Sequence, residues 1–234
     1  MKHHTVHSFD EELENMRDRV MAMGGLAEQQ LSDALTALIR GDSFLAEMVI
    51  DKDKLINRME LDIDNSCTFL LARRTPVAFD LRLVMSIIKT INDLERIGDL
   101  AKEIAQTALA FSEEVKNPGC LNLVEDMGER VKRMLRKSLD VLARSDARTA
   151  IELYRDDRQV NEYRDAVLQH MLAVAKETAR GQGVPGVVQI CWVTHALERI
   201  GDRCRNIGEY VVYLVEGIDV RHAESSEDED NMGP

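Results

Sequence analysis

Apolar residues recur at three- and four-residue steps along most of this chain, which is the period of an amphipathic helix. In the first such segment, about residues 10–39, they are Leu13, Met16, Val20, Met23, Leu31, Leu35 and Leu38. Glycine, proline, aspartate or serine separate this segment from later ones with the same period. The pattern predicts six helices, at about residues 10–39, 44–73, 78–112, 121–143, 147–180 and, after Pro185, to about 216.

The second half of the chain repeats landmarks of the first half at an almost constant distance. The stretch LERIGD occurs at residues 94–99 and again at 197–202, 103 positions later. Asp53 and Asp157 are 104 positions apart, within the second and fifth predicted helices. Matching landmarks at one offset indicate a tandem duplication of a three-helix unit.

The strongest helix breaker in the chain, Asn117–Pro118–Gly119, lies between the two copies. We therefore predict an all-α fold of two tandem three-helix bundles, one in residues 1–116 and one in residues 121–217. We expect residues 218–234 to form a disordered acidic tail, because its final stretch AESSEDEDNMGP is acidic and almost without apolar side chains.

Composition narrows the possible functions. The net charge is −12, which argues against binding nucleic acid or an anionic bilayer through charge alone. Because of this charge, any association with a membrane should run through a protein partner or a cation. No apolar run reaches the roughly 18 residues of a membrane span, and the polar start does not resemble a secretion signal. No C-x-x-C pair occurs, and we expect reduced cytosolic thiols at Cys67, Cys120, Cys191 and Cys204.

Each LERIGD copy places two carboxylates four residues apart on one face of a helix. Like charges at this spacing cost an isolated helix a few tenths of a kcal/mol, and the interior glycine costs about 1 kcal/mol relative to alanine. A solvated acidic face is the simpler interpretation, but the same unfavourable choice at two equivalent positions favours a function. Carboxylate oxygens suit magnesium, manganese, calcium, iron or zinc. The candidate metal ligands are Glu95, Asp99, Glu198, Asp202, Glu60 and Asp64, with Asp53, Asp157, His195 and Glu209 as secondary candidates.

The second acidic face is expected to have fewer ligands than the first. Arg164 and Leu168 occupy the positions in the fifth helix that correspond to Glu60 and Asp64 in the second. The stoichiometry of any bound metal therefore stays open at this point.

The chain contains no phosphate loop, nucleophile elbow, dinucleotide fingerprint or H-E-x-x-H motif. One class of function that the acidic faces leave open is a carboxylate-bridged metalloenzyme built in a helical bundle. The Glu-x-x-His pairs that dimetal bundle oxidases use are missing, which argues against this class.

Over residues 10–217 the chain resembles the PhoU family of phosphate-transport regulatory proteins. The resemblance lies in MAMGGLAEQQLSDAL (21–35), PVAFDLRLVMSIIKTINDLERIGD (76–99) and ALERIGDRCRNIGEYVVYLVEG (196–217). It implies two similar three-helix bundles with E(D)xxxD motifs, which bind iron or zinc clusters in some members and magnesium or manganese in others. The matching positions here are Glu95, Asp99, Glu198 and Asp202, with Glu60 and Asp64 as a further acidic pair.

The resemblance also implies a non-enzymatic, cytoplasmic negative regulator of the phosphate-starvation response. In this role the protein would be an adaptor whose helix faces dock on partner proteins, and the carboxylate-bridged metalloenzyme is the alternative. Such a protein acts between the Pst phosphate ABC transporter, through its ATPase component, and the PhoR histidine kinase. It keeps the kinase from activating PhoB when phosphate is plentiful, modulates phosphate uptake, and is peripheral to the membrane through these partners. We also expect a homodimer.

Overall fold

The structure, a computed structural model, describes residues 2–111, 118–177 and 184–220. Within these ranges the chain forms six α-helices and no strand, as the apolar period predicts. They are α1 (Lys2–Arg40), α2 (Ser43–Arg74), α3 (Ala78–Ala110), α4 (Pro118–Arg144), α5 (Ala147–Glu177) and α6 (Val184–Glu216). Of the predicted breaker, Asn117 lies outside the described residues, and α4 begins at Pro118. The predicted acidic tail lies outside them beyond Val220.

Equivalent aspartates begin the second helix of each repeat. The Asp42 side chain accepts a hydrogen bond of 2.9 Å from the Leu45 amide and caps α2. Asp146, 104 positions later, accepts from the Arg148 and Thr149 amides and from the Thr149 hydroxyl. The hydrogen bonds from Thr149 lower the pKa of Asp146, since they favour its charged form. The duplication has thus preserved this capping chemistry.

The helices pack as two bundles joined side by side. Helices α1, α2 and α3 contact one another, as do α4, α5 and α6, and the two groups meet through α3 with α6 and α1 with α4. Helices α3 and α6 run antiparallel, because Ser86 lies against Tyr210 while Ala110 lies against Gln189 at the other end. One continuous set of buried aliphatic side chains fills both bundles and the contact between them.

Glycines allow α1 and α4 to approach closely. A Cβ atom at Gly24 would overlap the Leu139 side chain, and one at Gly128 would lie 2.8 Å from Leu35 Cδ1. Both the glycines and the leucines are 104 positions apart, so each repeat inserts the same leucine against the same glycine of the other. The contact between the bundles therefore follows the pseudo-symmetry of the duplication.

The described cysteine side chains, Cys67, Cys191 and Cys204, are free thiols, and the side chain of Cys120 lies outside the described residues. Burial raises the pKa of Cys67 to about 11 and that of Cys204 further, which keeps both in the unreactive thiol form. Among the described helices none combines the length and the apolar character needed to cross a bilayer.

Candidate functional site

The first LERIGD copy lies in the middle of α3, where it faces α2. Partial burial, together with the negative charges of Asp99, Glu60 and Asp53, raises the pKa of Glu95, and the nearby Arg96 only partly opposes this. The structure therefore brings four of the predicted ligands together, two from each helix. We call Asp53, Glu60, Glu95 and Asp99 the α2/α3 acidic face.

Asp53 differs from the other members of this face because it is buried, with only 1% of its surface exposed. Its carboxylate accepts a hydrogen bond of 2.8 Å from Lys102 Nζ and a longer one, 3.4 Å, from Gln30 Nε2. Asp53 is therefore half of an internal ion pair rather than an open surface ligand. Lys102 is not among the residues predicted from the sequence, although it lies three residues after the first LERIGD copy and on the same side of α3.

The predicted pair Glu60–Asp64 is only partly assembled with this face. Glu60 is among the charges that act on Glu95, whereas the charge of Asp64 acts on Cys67 and raises its pKa. Asp64 lies one turn further along α2, towards the helix end that carries Arg74.

The surplus of carboxylates on the α2/α3 acidic face suits a cation, because oxygen ligands are those that hard cations prefer. In the observed rotamers, no three His, Cys, Asp or Glu side chains within the described part of the chain converge as a metal-binding group. A cation held here would therefore require side-chain rotation by Glu60, Glu95 or Asp99, all of which have partly exposed positions.

Arginines neutralise the second acidic face. Glu198 lies 3.0 Å from Arg164 Nη1 and 3.4 Å from His195 Nδ1. Arg164 stands at the position that corresponds to Glu60, so the departure noted in the sequence places a cation where the first repeat has a carboxylate. In this arrangement the α5/α6 face fits a metal ion less well than the α2/α3 acidic face does.

A single guanidinium, that of Arg205, pairs with the other carboxylates of the second copy. It lies 2.7 Å from Asp157, 3.6 Å from Asp202 and 3.4 Å from Glu209. Arg205 follows Lys102 by 103 positions, so the basic residue three places after LERIGD serves the same purpose in both repeats. The pairing of a buried aspartate with a cation on the neighbouring helix is the feature of the motif that the sequence did not predict.

The glycine of each LERIGD copy makes room for the neighbouring helix. A Cβ atom at Gly98 would lie 3.1 Å from Ile56 Cδ1, and one at Gly201 would lie 3.3 Å from Val160 Cγ1. Ile56 and Val160 are themselves equivalent residues of α2 and α5, 104 positions apart. The repeated glycine therefore has a packing role, because it lets a branched side chain lie directly on the helix backbone.

A further buried carboxylate joins the two bundles. Asp93 of α3 accepts hydrogen bonds from Tyr210 Oη at 2.8 Å and from Arg203 Nη1 at 3.2 Å, both on α6. Burial raises the pKa of Asp93, and these hydrogen bonds and the arginine charge oppose the rise. The equivalent position in the second repeat is Ala196, so the duplication offered no signal for this residue.

Two pseudo-symmetric three-helix bundles, each with a paired-carboxylate face on its third helix, define a class of all-α tandem-repeat proteins. The PhoU domain matches this chain twice, over residues 20–108 and 124–211. The chain belongs to the PhoU family.

Relatives from several bacteria match almost the whole chain. The phosphate-specific transport system accessory protein PhoU of Edwardsiella tarda is 43% identical over 219 residues, which span 94% of this chain and 89% of that protein. The protein of the same name from Escherichia coli K12 is 43% identical over 224 residues, 96% of this chain and 92% of that protein.

Two crystal structures share the fold along nearly their full length. PhoU from Pseudomonas aeruginosa superposes with a TM-score of 0.85 at 42% identity, covering 90% of this chain and 100% of that one. The phosphate transport system regulatory protein PhoU from Streptococcus pneumoniae gives a TM-score of 0.84 at 32% identity, covering 91% and 99%. These matches confirm both the family and the all-α tandem-bundle fold.

Proposed function

We propose that this chain is a non-enzymatic adaptor that represses the phosphate-starvation response. In this proposal it links the Pst phosphate ABC transporter, through its ATPase component, to the PhoR histidine kinase, modulates phosphate uptake, and works in the cytoplasm as a homodimer. The observation that carries the proposal is identity of 43–44% over 94–96% of the chain to relatives named phosphate-specific transport system accessory protein PhoU. Those names support an accessory role in phosphate transport, and the regulatory role extends it.

A genetic experiment tests the regulatory role. Deleting the gene should derepress phosphate-scavenging genes in phosphate-rich medium, because the kinase would no longer be restrained. Deleting the kinase gene as well should restore repression. Derepression that persists in the double deletion would show that the protein does not act through this kinase.

We further propose that the acidic faces bind a divalent or ferric cation, with iron, zinc, magnesium and manganese as the candidates. Glu95, Asp99 and Glu60 would hold it on the α2/α3 acidic face, where partial burial and the neighbouring negative charges raise the pKa of Glu95. Glu198 and Asp202 would bind more weakly, because Arg164 and Arg205 already neutralise them. A bound cation would relieve the repulsion between the carboxylates and stabilise the folded state.

Paired variants test the metal proposal. Glu95→Gln with Asp99→Asn should abolish most of the bound metal and most of the rise in melting temperature that metal produces. Glu198→Gln with Asp202→Asn should have a smaller effect on both quantities. If metal content and the thermal shift stay unchanged in both double variants, these carboxylates are not the site.

The metalloenzyme alternative makes a different prediction. A metal-loaded sample that turns over phosphate esters or reduces dioxygen, with loss of turnover in the Glu95→Gln and Asp99→Asn double variant, would support catalysis. The adaptor proposal expects no turnover from the same sample.

A further inference from the structure

The contact between α3 and α6 has two ends related by the pseudo-symmetry, and aromatic rings fill one of them. At this end Lys89 Nζ lies 5.4 Å from the ring centre of Tyr210 and 5.3 Å from that of Tyr213. The Tyr210 hydroxyl donates to Asp93, and its carbonyl accepts from Ser86. Two tyrosines of α6 thus cover the first half of α3.

The opposite end of the same helix pair is an open groove of about 440 Å³. The repeat relates residues that are 103 positions apart, so Thr107 corresponds to Tyr210 and Ala110 corresponds to Tyr213. In the same way, Trp192 corresponds to Lys89. All three residues line the groove, together with Gln106, Val193 and Ala196. The groove is therefore the space that two small residues leave unfilled where the other end has two phenol rings.

Trp192 forms an exposed wall of this groove. It is the only tryptophan of the chain, and 67% of its surface is accessible to solvent. Exposing an indole to water is costly, and tryptophan and arginine are the residues most often responsible for affinity in protein interfaces. Arg199 and Glu103 supply charged groups at the same groove, as a polar rim around an apolar centre would.

The segments between and after the described ranges do not supply the missing ring. The ten aromatic residues of the sequence are Phe9, Phe44, Phe69, Phe79, Phe111, Tyr154, Tyr163, Trp192, Tyr210 and Tyr213. Each of them lies in the described ranges, so residues 112–117, 178–183 and 221–234 contain none. These segments therefore cannot place an aromatic ring in the groove.

We propose that the groove between the C-terminal end of α3 and the first half of α6 is a docking site for an aromatic side chain of a partner protein. This inference rests on the proposed adaptor role, because that role implies that the occupant belongs to a partner protein. The filled end of the α3–α6 contact shows the chemistry that fits, because the same backbone arrangement there accommodates tyrosine rings. A phenol or phenyl ring would lie between Trp192 and the small residues Thr107 and Ala110.

The groove itself is tested with p-cresol, the isolated side chain of tyrosine. The indole N–H resonance of Trp192 reports on binding without ambiguity, since the chain has a single tryptophan. Thr107→Tyr with Ala110→Tyr rebuilds the tyrosine pair from within and should weaken p-cresol binding by about ten-fold or more. Leu109→Tyr adds a ring at an exposed α3 position that does not line the groove, and should leave binding unchanged.

Failure of p-cresol to shift the Trp192 resonance, or equal binding by the rebuilt double variant, would overturn the proposal. So would an equal shift by adenosine at the same concentration, because that would assign the groove to free nucleobases. Circular dichroism of the double variant establishes that it is folded. Trp192→Lys, which introduces the residue found at the filled end, provides a second variant that should also lose p-cresol binding. Because this variant lacks the reporting indole, its binding is measured from the ligand signals by saturation-transfer difference spectroscopy, which is also applied to the wild type.

The partner is tested by placing a photo-crosslinking amino acid at Gln106 in cells and mapping the products by mass spectrometry. The proposal expects a cross-link to a partner peptide with an exposed tyrosine or phenylalanine, lost when that residue becomes alanine. If sedimentation shows self-association of the wild type that the double variant loses, the occupant is a second copy and the proposal is wrong. If the double variant instead cross-links and represses normally while the deletion strain is derepressed, the groove is not the docking site. That result would leave the adaptor role intact.

Discussion

Replacing Lys102 by methionine should destabilise the protein, because it removes the cation that faces a buried carboxylate. Lys102 Nζ lies 2.8 Å from Asp53 Oδ2, and Asp53 is only 1% exposed. The other donor to this carboxylate, Gln30, is neutral and lies at 3.4 Å. Methionine retains the length and the helix propensity of lysine, so the change isolates the charge.

The expected magnitude follows from burial. Removing one partner of a buried ion pair costs about 3–5 kcal/mol, because the remaining charge is left without compensation. The Lys102 side chain is 32% exposed, which lets some water reach the pair and places the estimate at the lower end, about 3 kcal/mol. For a protein of this size that corresponds to a fall in melting temperature of roughly 6–12 °C.

Urea denaturation followed by far-ultraviolet circular dichroism measures this loss. The set comprises the wild type, Lys102→Met, Asp53→Asn and the double variant, all measured with chelator so that no metal replaces the lysine. The double variant should recover most of the stability lost in Lys102→Met, since it buries an amide rather than a charge. Lys54→Met is the matched control; Lys54 pairs with Asp51, but both side chains are largely exposed, so the loss should stay below about 0.5 kcal/mol.

Two results would contradict a stabilising ion pair between Lys102 and Asp53. One is a loss of less than about 1 kcal/mol in Lys102→Met, which lies far below the cost of an isolated buried carboxylate. The other is additivity of the two single changes within about 0.5 kcal/mol, which would mean that the side chains do not interact energetically.

Three further outcomes are expected. Gly25→Ala should raise the free energy of unfolding by up to about 1 kcal/mol in the same denaturation assay, because no atom lies within 4 Å of the added Cβ. Gly208→Ala should lower it by about 1–3 kcal/mol, because the added Cβ would lie 2.6 Å from the Leu153 side chain. Arg164→Glu, which restores the carboxylate of the first repeat, should increase the metal retained per chain after dialysis, and unchanged metal content would count against the neutralisation argument. Burial raises the pKa of Asp93, so the folded protein keeps the proton on this carboxyl group to a higher pH than the unfolded chain does. The contribution of Asp93 to stability is therefore largest at low pH and falls as the pH rises through the pKa of the folded state. The stability of the wild type relative to Asp93→Asn should therefore decline as the pH is raised from about 4 to 7, and a constant or rising difference would contradict the raised pKa.

Much of the fold could be predicted from the sequence because helix formation here follows local spacing. The three- and four-residue apolar period determines which face of each helix is buried, and local breakers such as Thr75–Pro76 determine where helices end. The offset of 103–104 positions showed the duplication directly, since it compares the chain only with itself. Carboxylates four residues apart share a helix face by geometry alone, so their spacing is enough to predict that Glu95 and Asp99 lie on one face of α3.

The charge balance of the acidic faces could not be predicted in the same way. Lys102 meets Asp53 across 49 positions, and Arg205 meets Asp157 across 48, so each pair depends on the register of one helix against another. The sequence showed only that basic residues were present nearby. Which of them enters the face, and which remains in solvent, is decided by the packing of α2 on α3 and of α5 on α6.

Six amphipathic helices, their duplication and the residues that share each helix face all follow from the order of residues along the chain. Which helix covers each buried stripe depends on the packing of the folded chain, which places Asp93 between the bundles and leaves Trp192 beside an open groove. This difference arises because the hydrophobic period specifies how much of a helix is buried but carries no information on its neighbour. The neighbour is selected by shape, as when a leucine of one repeat enters the space above a glycine of the other.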